Sequence, residues 1–252
     1  MRNIKLTVAY DGTHFSGWQV QSRDRSVQGD LEKALSNLHG RPLALTGAGR
    51  TDSGVHASGQ VANFFTDKDN IPAHKFREAL NSQLAQDVRV LESQEVAASF
   101  HSRRDAVVRR YEYRLWAGSP PPPHVAPYVW KLRKMPPLAL LDSMAAEIVG
   151  IHDFSTFAAA RDPSPSKVRE VFQAAFIPRG EEVIFRISGN AFLWRMVRSL
   201  LGTIVDLSQR GGDAGDMRGI LSSRDRFKAG PTAPPTGLFL TKVMYGEDRG
   251  VR

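Results

Sequence analysis

The chain has 252 residues, with 34 Lys and Arg against 26 Asp and Glu for a net charge of +8, and it contains no cysteine. Apolar residues make up 41% and charged residues 24%, the balance of a folded globular protein and not of a disordered tail. The missing cysteines exclude disulfides, thiolate metal sites and a cysteine nucleophile.

Residues 3–10 alternate Ile4, Leu6, Val8 and Tyr10 with more polar neighbours, the period of a half-buried strand. Asp11-Gly12-Thr13 reads as a turn. A helix follows, capped by Ser26, striped by Val27, Leu31, Leu35 and Leu38, and ended by Gly40. Val61 to Phe65 predicts a strand. Pro72 opens a second helix with Phe76, Ala79, Leu80 and Leu84 as its apolar stripe, and Val88 to Val96 predicts another strand.

Arg109 to Trp116 alternates again, with Tyr111, Tyr113 and Leu115 on one face. The run Ser119 to His124 is too proline-rich for helix or strand and reads as a loop or spacer. Leu138, Leu141, Ala145 and Ile148 predict a helix closed by Gly150, and Arg169 to Ile177 and Glu182 to Ser188 predict strands. Leu193, Val197, Leu200, Ile204 and Leu207 form the strongest helical stripe, on which Arg195 and Arg198 share a face. Leu238 to Tyr245 closes the chain as a strand. Strands and helices without strict alternation predict an α+β fold with antiparallel sheet. The expected division is an N-terminal unit over 1–106 and a C-terminal unit over 107–252, with a Pro-rich connection at 119–127.

No apolar run approaches the roughly 20 residues of a membrane span, and the first residues lack a secretory apolar region. A cytoplasmic protein away from membranes is expected. The basic charge points to a polyanionic partner, because phosphate contacts release condensed counterions. Solubility alone would explain the bulk figure equally well. Clustering of Arg103-Arg104 and Arg109-Arg110 around a Tyr-rich strand favours nucleic acid.

The densest group of special residues is Gly47-Ala48-Gly49-Arg50-Thr51-Asp52-Ser53-Gly54-Val55-His56. A dinucleotide fingerprint would need glycine where Asp52 stands, and a phosphate-binding loop would need a lysine. An aspartic protease pairs two carboxylates, as does a glycosidase, and no second one is evident. One carboxylate on a tight turn remains, two residues from Arg50. Taken alone, it fits a plain Asx-turn beside a surface arginine.

The same segment, continuing to Ala57, resembles the signature of the tRNA pseudouridine synthase A family. Further matches fall in the family's order: Tyr10-Asp11-Gly12 with Phe15-Ser16-Gly17-Trp18-Gln19, Phe100-His101-Ser102-Arg103 with Arg110-Tyr111-Glu112-Tyr113, and Asp153 to Phe157. Gly189 to Arg198 resembles its long-helix motif and Ala233 to Leu238 its closing one. Trp194-Arg195 departs from the smaller or histidine-like residues of relatives.

The resemblance implies an α+β fold of two related subdomains around a central, mostly antiparallel sheet, with an active-site cleft between them. It also implies a homodimer without metal or cofactor, acting on uridines on the 3′ side of the anticodon stem-loop while gripping the tRNA elbow. Asp52 is implied as nucleophile or base, Arg198 as its cationic partner, and Tyr111 as the aromatic that stacks on a flipped uracil and can shuttle a proton. Arg50 would fill the vacated stack and Leu238 would floor the base. Arg103, Arg104 and Arg110 are expected to contact RNA. His56 reads as a loop histidine, and the seven histidines show no metal spacing. A non-catalytic RNA-binding module and a tRNA-folding chaperone are the alternative readings.

Overall fold

A computed structural model describes residues 1–22 and 24–246. Among these, ten strands, five α-helices and several single 3-10 turns form two compact units. The first unit holds Met1–Val107 together with the chain from Phe239, and the second holds Val108–Leu238. The proline-rich run at 119–123 therefore lies inside the second unit, and the closing strand returns to the first. Strands in both units pair mostly antiparallel, giving the α+β class.

In the first unit the elements are β1 (Arg2–Tyr10), α1 (Val27–His39), β2 (Thr46–Gly47), β3 (His56–Thr66), α2 (Phe76–Asn81) and β4 (Val88–Val96). β1 sits between β4 and β3, antiparallel to both, with Leu6 opposite Ala62 and Ser93. Its Ile4, Leu6 and Val8 are fully buried, each contributing about 1.5–3 kcal/mol of transfer free energy. Ser26 caps α1 by accepting from the Gly29 N–H, and Gly40 ends it in the left-handed region. Thirteen residues are too few for a stable isolated helix, so α1 depends on packing Val27, Leu31, Ala34 and Leu35 inward. The second helix is shorter than its apolar stripe predicts. Residues Ala73–Lys75 form a 3-10 turn, and Leu84 is buried beyond the helix end. β3 begins five residues before Val61, at His56.

The second unit contains β5 (Val108–Ala117), β6 (Trp130–Leu132), α3 (Leu138–Ala146), β7 (Gly150–Asp153), β8 (Val168–Arg179), β9 (Glu182–Gly189), α4 (Met196–Gln209) and α5 (Ala214–Ser223). Its strands run in the order β5-β9-β8-β7, with β6 parallel to β5. Helices α3, α4 and α5 pack against one another, and α3 also packs on β8. α5 is closed by a capping box in which Asp213 accepts from the Asp216 N–H and Asp216 accepts from the Asp213 N–H.

α4 corrects the sequence reading. The apolar stripe begins at Leu193, yet the helix begins at Met196, because Arg195 has φ 62° and ψ 6° and breaks the helical path. Leu193 is buried from outside the helix, and Arg195 and Arg198 do not share a helix face. The strand that closes the chain, β10 (Leu238–Met244), pairs with β3 in parallel through Phe239 and Leu240.

Candidate active site

The loop bearing Asp52 is shaped by backbone contacts with the stretch after β1. The Trp18 N–H donates to the Thr51 carbonyl at 3.1 Å, and the Gly54 N–H donates to the Phe15 carbonyl at 3.3 Å. The Thr51 hydroxyl shares a hydrogen bond of 2.8 Å with the Tyr10 hydroxyl, deep in the unit. The Val55 N–H closes the turn on the Asp52 carbonyl at 3.1 Å. Gly17 makes the approach possible: its φ is +103°, and a Cβ there would lie 2.7 Å from the Thr51 oxygen. The two glycine-bearing motifs thus form one interlocked structure. Asp52 is held on it half-buried, and Arg50 is exposed with its Nε donating to Gln19 Oε1 at 3.0 Å.

His56 is not a loop histidine. It is fully buried at the start of β3, where its Nδ1 accepts from the Gly12 N–H at 3.0 Å and its ring stacks on Phe239 at 4.6 Å. It braces the turn after β1 and is a framework residue.

Arg103 and Arg104 stand exposed on a turn whose backbone is fixed from several sides. His101 and Asp105 close the turn on each other, and both arginine N–H groups donate to His101 Nδ1. Ser102 is pinned by Asn63, Thr46 and Tyr245. Two exposed cations are thereby presented from a rigid base.

In the second unit, Tyr111 and Tyr113 point to one face of β5 and both are buried. Tyr111 meets Phe192 edge-on at 5.2 Å. The Tyr113 hydroxyl donates to the Pro234 carbonyl at 2.7 Å. Burial pushes its pKa far up, against the opposing charge of Arg198, so it stays protonated as that donor. Arg198, on the first turn of α4, donates from Nε to the Ala233 carbonyl at 2.8 Å, while the Ala233 N–H donates to the Arg198 carbonyl at 3.0 Å. Leu238 is buried at the start of β10.

Arg110 lies on the opposite face of β5 from Tyr111, as strand alternation requires. The arginine on Tyr111's face is Arg109. It is buried and donates from Nη1 to the Asn190 carbonyl at 2.6 Å. Asn190 in turn accepts on Oδ1 from the Glu170 and Ala191 N–H groups. Sequence reasoning misses Arg109 as a buried residue because arginine is rarely buried. The usable signal is its place in the alternation, two residues before Tyr111.

Among the described residues, no group of three His, Asp or Glu side chains is arranged to hold a metal ion. No described helix is long and apolar enough to cross a membrane.

Residues 6–104 and 144–246 match the family model described as tRNA pseudouridine synthase. A Treponema denticola protein named tRNA pseudouridine synthase A is 46% identical over 252 residues, spanning 98% of this chain and 94% of its own length. Proteins of the same name from Brachyspira hyodysenteriae and Anoxybacillus flavithermus are 39% and 40% identical, over 98% and 97% of this chain and 100% and 99% of their own. The Asp52 loop and the Tyr111 strand thus sit in a sequence related to these proteins along nearly its whole length, and the chain belongs to the tRNA pseudouridine synthase family.

Proposed function

We propose that this chain is a cytoplasmic isomerase that converts uridine to pseudouridine in the anticodon stem-loop of tRNA. The observation that carries the reading is family membership over nearly the whole chain, with the Asp52 loop present and folded as a rigid turn. The reaction breaks the C1′–N1 bond, turns the uracil and rejoins it through C5, after which the C5 proton leaves. A base inside a stem is out of reach, so the nucleotide must be flipped out at a cost of about a few kcal/mol.

In this reading Asp52 attacks C1′ or takes a proton from the ribose, and then assists removal of the C5 proton. A carboxylate suits both, because it can bond to an oxocarbenium-like centre and still leave. Arg198 supplies a cation to the reaction, Tyr111 stacks on the uracil, Leu238 floors it, and Arg50 fills the vacated stack. The test is tritium release from C5-labelled uridine in unmodified tRNA. Purified protein that releases none, with no added cofactor, would remove the reading.

Phosphate contacts from Arg103, Arg104 and Arg110 should make tRNA binding steeply salt-dependent. Reversing the charge of Arg103 or Arg104 should lower the slope of log affinity against log salt by about one for each phosphate no longer neutralised. The choice of uridine should not change. A slope equal to that of the unmodified protein would take these two arginines out of the RNA footprint.

The same reading includes a homodimer, in which one subunit grips the tRNA elbow while the other works on the anticodon arm. Light scattering should then give twice the 27.9 kDa chain mass. A fully active particle of single chain mass would exclude this arrangement.

A further inference from the structure

The segment between β9 and α4 presents an indole ring in a way that its own fold does not require. Trp194 is 43% exposed, whereas Trp18 and Trp116 are buried and Trp130 is half-buried. Its backbone is clamped from both sides. The Trp194 N–H donates to Asp162 Oδ2 at 2.6 Å, and the Trp194 carbonyl accepts from the Ala159 N–H at 3.0 Å.

Asp162 is itself a fixed anchor. Its side chain is almost fully buried, with Lys167 Nζ at 2.7 Å and the Ser164 N–H at 2.9 Å on Oδ1. Burial alone would raise its pKa, but Lys167 and the two backbone N–H groups hold the carboxyl far below the usual range. The clamp therefore stays ionised throughout the pH range in which the protein is handled.

The next residue carries backbone strain. Arg195 is left-handed at φ 62°, in the position that caps the N-terminus of α4, and it makes no side-chain cap. Cap residues normally adopt extended backbone there, so helix initiation does not call for this conformation. Among the described residues the other left-handed non-glycine residue, Arg224, sits at a helix C-terminus, where the conformation is ordinary. What the strained turn does achieve is to bring the Arg195 guanidinium to 5.3 Å from the centroid of the Trp194 ring. An accessible indole on a clamped backbone, with a guanidinium beside it, has the chemistry that binds an unpaired nucleobase by stacking and cation–π attraction. Two residues earlier on the same loop, Phe192 touches Tyr111.

We propose that Trp194 and Arg195 form a second stacking site, which receives an unpaired nucleobase of the RNA substrate other than the target uridine. The proposal rests on the reading of this chain as an enzyme acting on a looped RNA. It assigns the site to loop nucleotides, since paired bases keep their faces in the stem.

The experiment titrates the full-length protein with an anticodon stem-loop RNA and, separately, with a blunt duplex of the same stem, following tryptophan fluorescence and filter binding. Stem-loop RNA should quench the fluorescence, and most of that quench should be absent in Trp194→Phe. Trp194→Ala should weaken stem-loop binding about tenfold, with duplex binding unchanged and the thermal melt preserved. Trp194→Phe should keep most of the affinity, because the smaller ring still stacks. Equal stem-loop affinity in Trp194→Ala overturns the proposal, as does an equal loss on duplex or a quench that survives in Trp194→Phe. Tritium release is scored separately. Loop-dependent quenching without release would refute the enzymatic reading and leave the stacking site standing, and release without quenching would do the reverse.

Discussion

Asp52→Asn is expected to lower pseudouridine formation by about a thousandfold or more while leaving tRNA affinity within about twofold. The amide has the size of the carboxylate and keeps hydrogen-bonding capacity, but it neither attacks a cationic carbon nor accepts a proton near neutral pH. The loop should survive the change, because it is built from backbone bonds through Thr51, Asp52 and Gly54 to Phe15, Trp18 and Val55, and from the Thr51–Tyr10 hydroxyl pair. Loss of rate without loss of binding would separate chemistry from docking. Slow deamidation of asparagine would restore aspartate and feign residual activity, so Asp52→Ala belongs beside it. Activity within tenfold of the unmodified protein in both variants would remove Asp52 from the reaction.

The Asp52 loop is legible in sequence because it is local. Its glycines, its aspartate and its arginine fall within the eight positions from Gly47 to Gly54, and the partner stretch after β1 carries its own turn residues. β1 and α1 are legible for a related reason. Alternation at Ile4, Leu6 and Val8 and the Ser26 and Gly40 caps are each complete within a few residues.

The failures have a different character. The stripe through Leu193, Val197 and Leu200 continues unbroken through Arg195, and hydropathy carries no sign that this residue is left-handed. β3 is longer than its sequence suggests because His56 to Gln60 looks polar and loop-like, whereas His56, Gly59 and Gln60 are buried there. α5 escapes the hydropathy pattern because Met217 and Leu221 alone supply its buried face, although Asp213 and Asp216 stand there as a cap signal. The Asp162 clamp on Trp194 spans 32 positions along the chain. Its aspartate stands among prolines and serines that read only as loop. Contacts of this kind are made by tertiary structure, and neither spacing nor composition records them.

Gly202→Ala tests whether α4 and the segment after it act as one device. In an exposed helix interior this substitution stabilises by about 0.8–1.0 kcal/mol. Here the added Cβ would lie 1.8 Å from the Pro231 carbonyl oxygen and 2.8 Å from the Ala233 nitrogen. Both are backbone atoms that cannot swing aside. Overpacking of this kind costs about 1–3 kcal/mol, enough to outweigh the propensity gain and reverse its sign. The displaced segment is tied to groups proposed for the site. Ala233 exchanges two hydrogen bonds with Arg198, and Pro234 accepts from Tyr113. Moving Pro231 outward should therefore drag on Arg198 and on the chain leading to Leu238, lowering turnover by about tenfold or more, since small misplacements of reacting groups are costly. Gly219→Ala in α5, where a Cβ meets nothing within 4 Å, is the matched control and should be neutral or stabilising with full activity. Melting curves and tritium release on the pair decide the matter. If Gly202→Ala melts higher and turns over as fast as Gly219→Ala, the segment from Pro231 to Leu238 is not held in place by α4 and has no part in positioning Arg198.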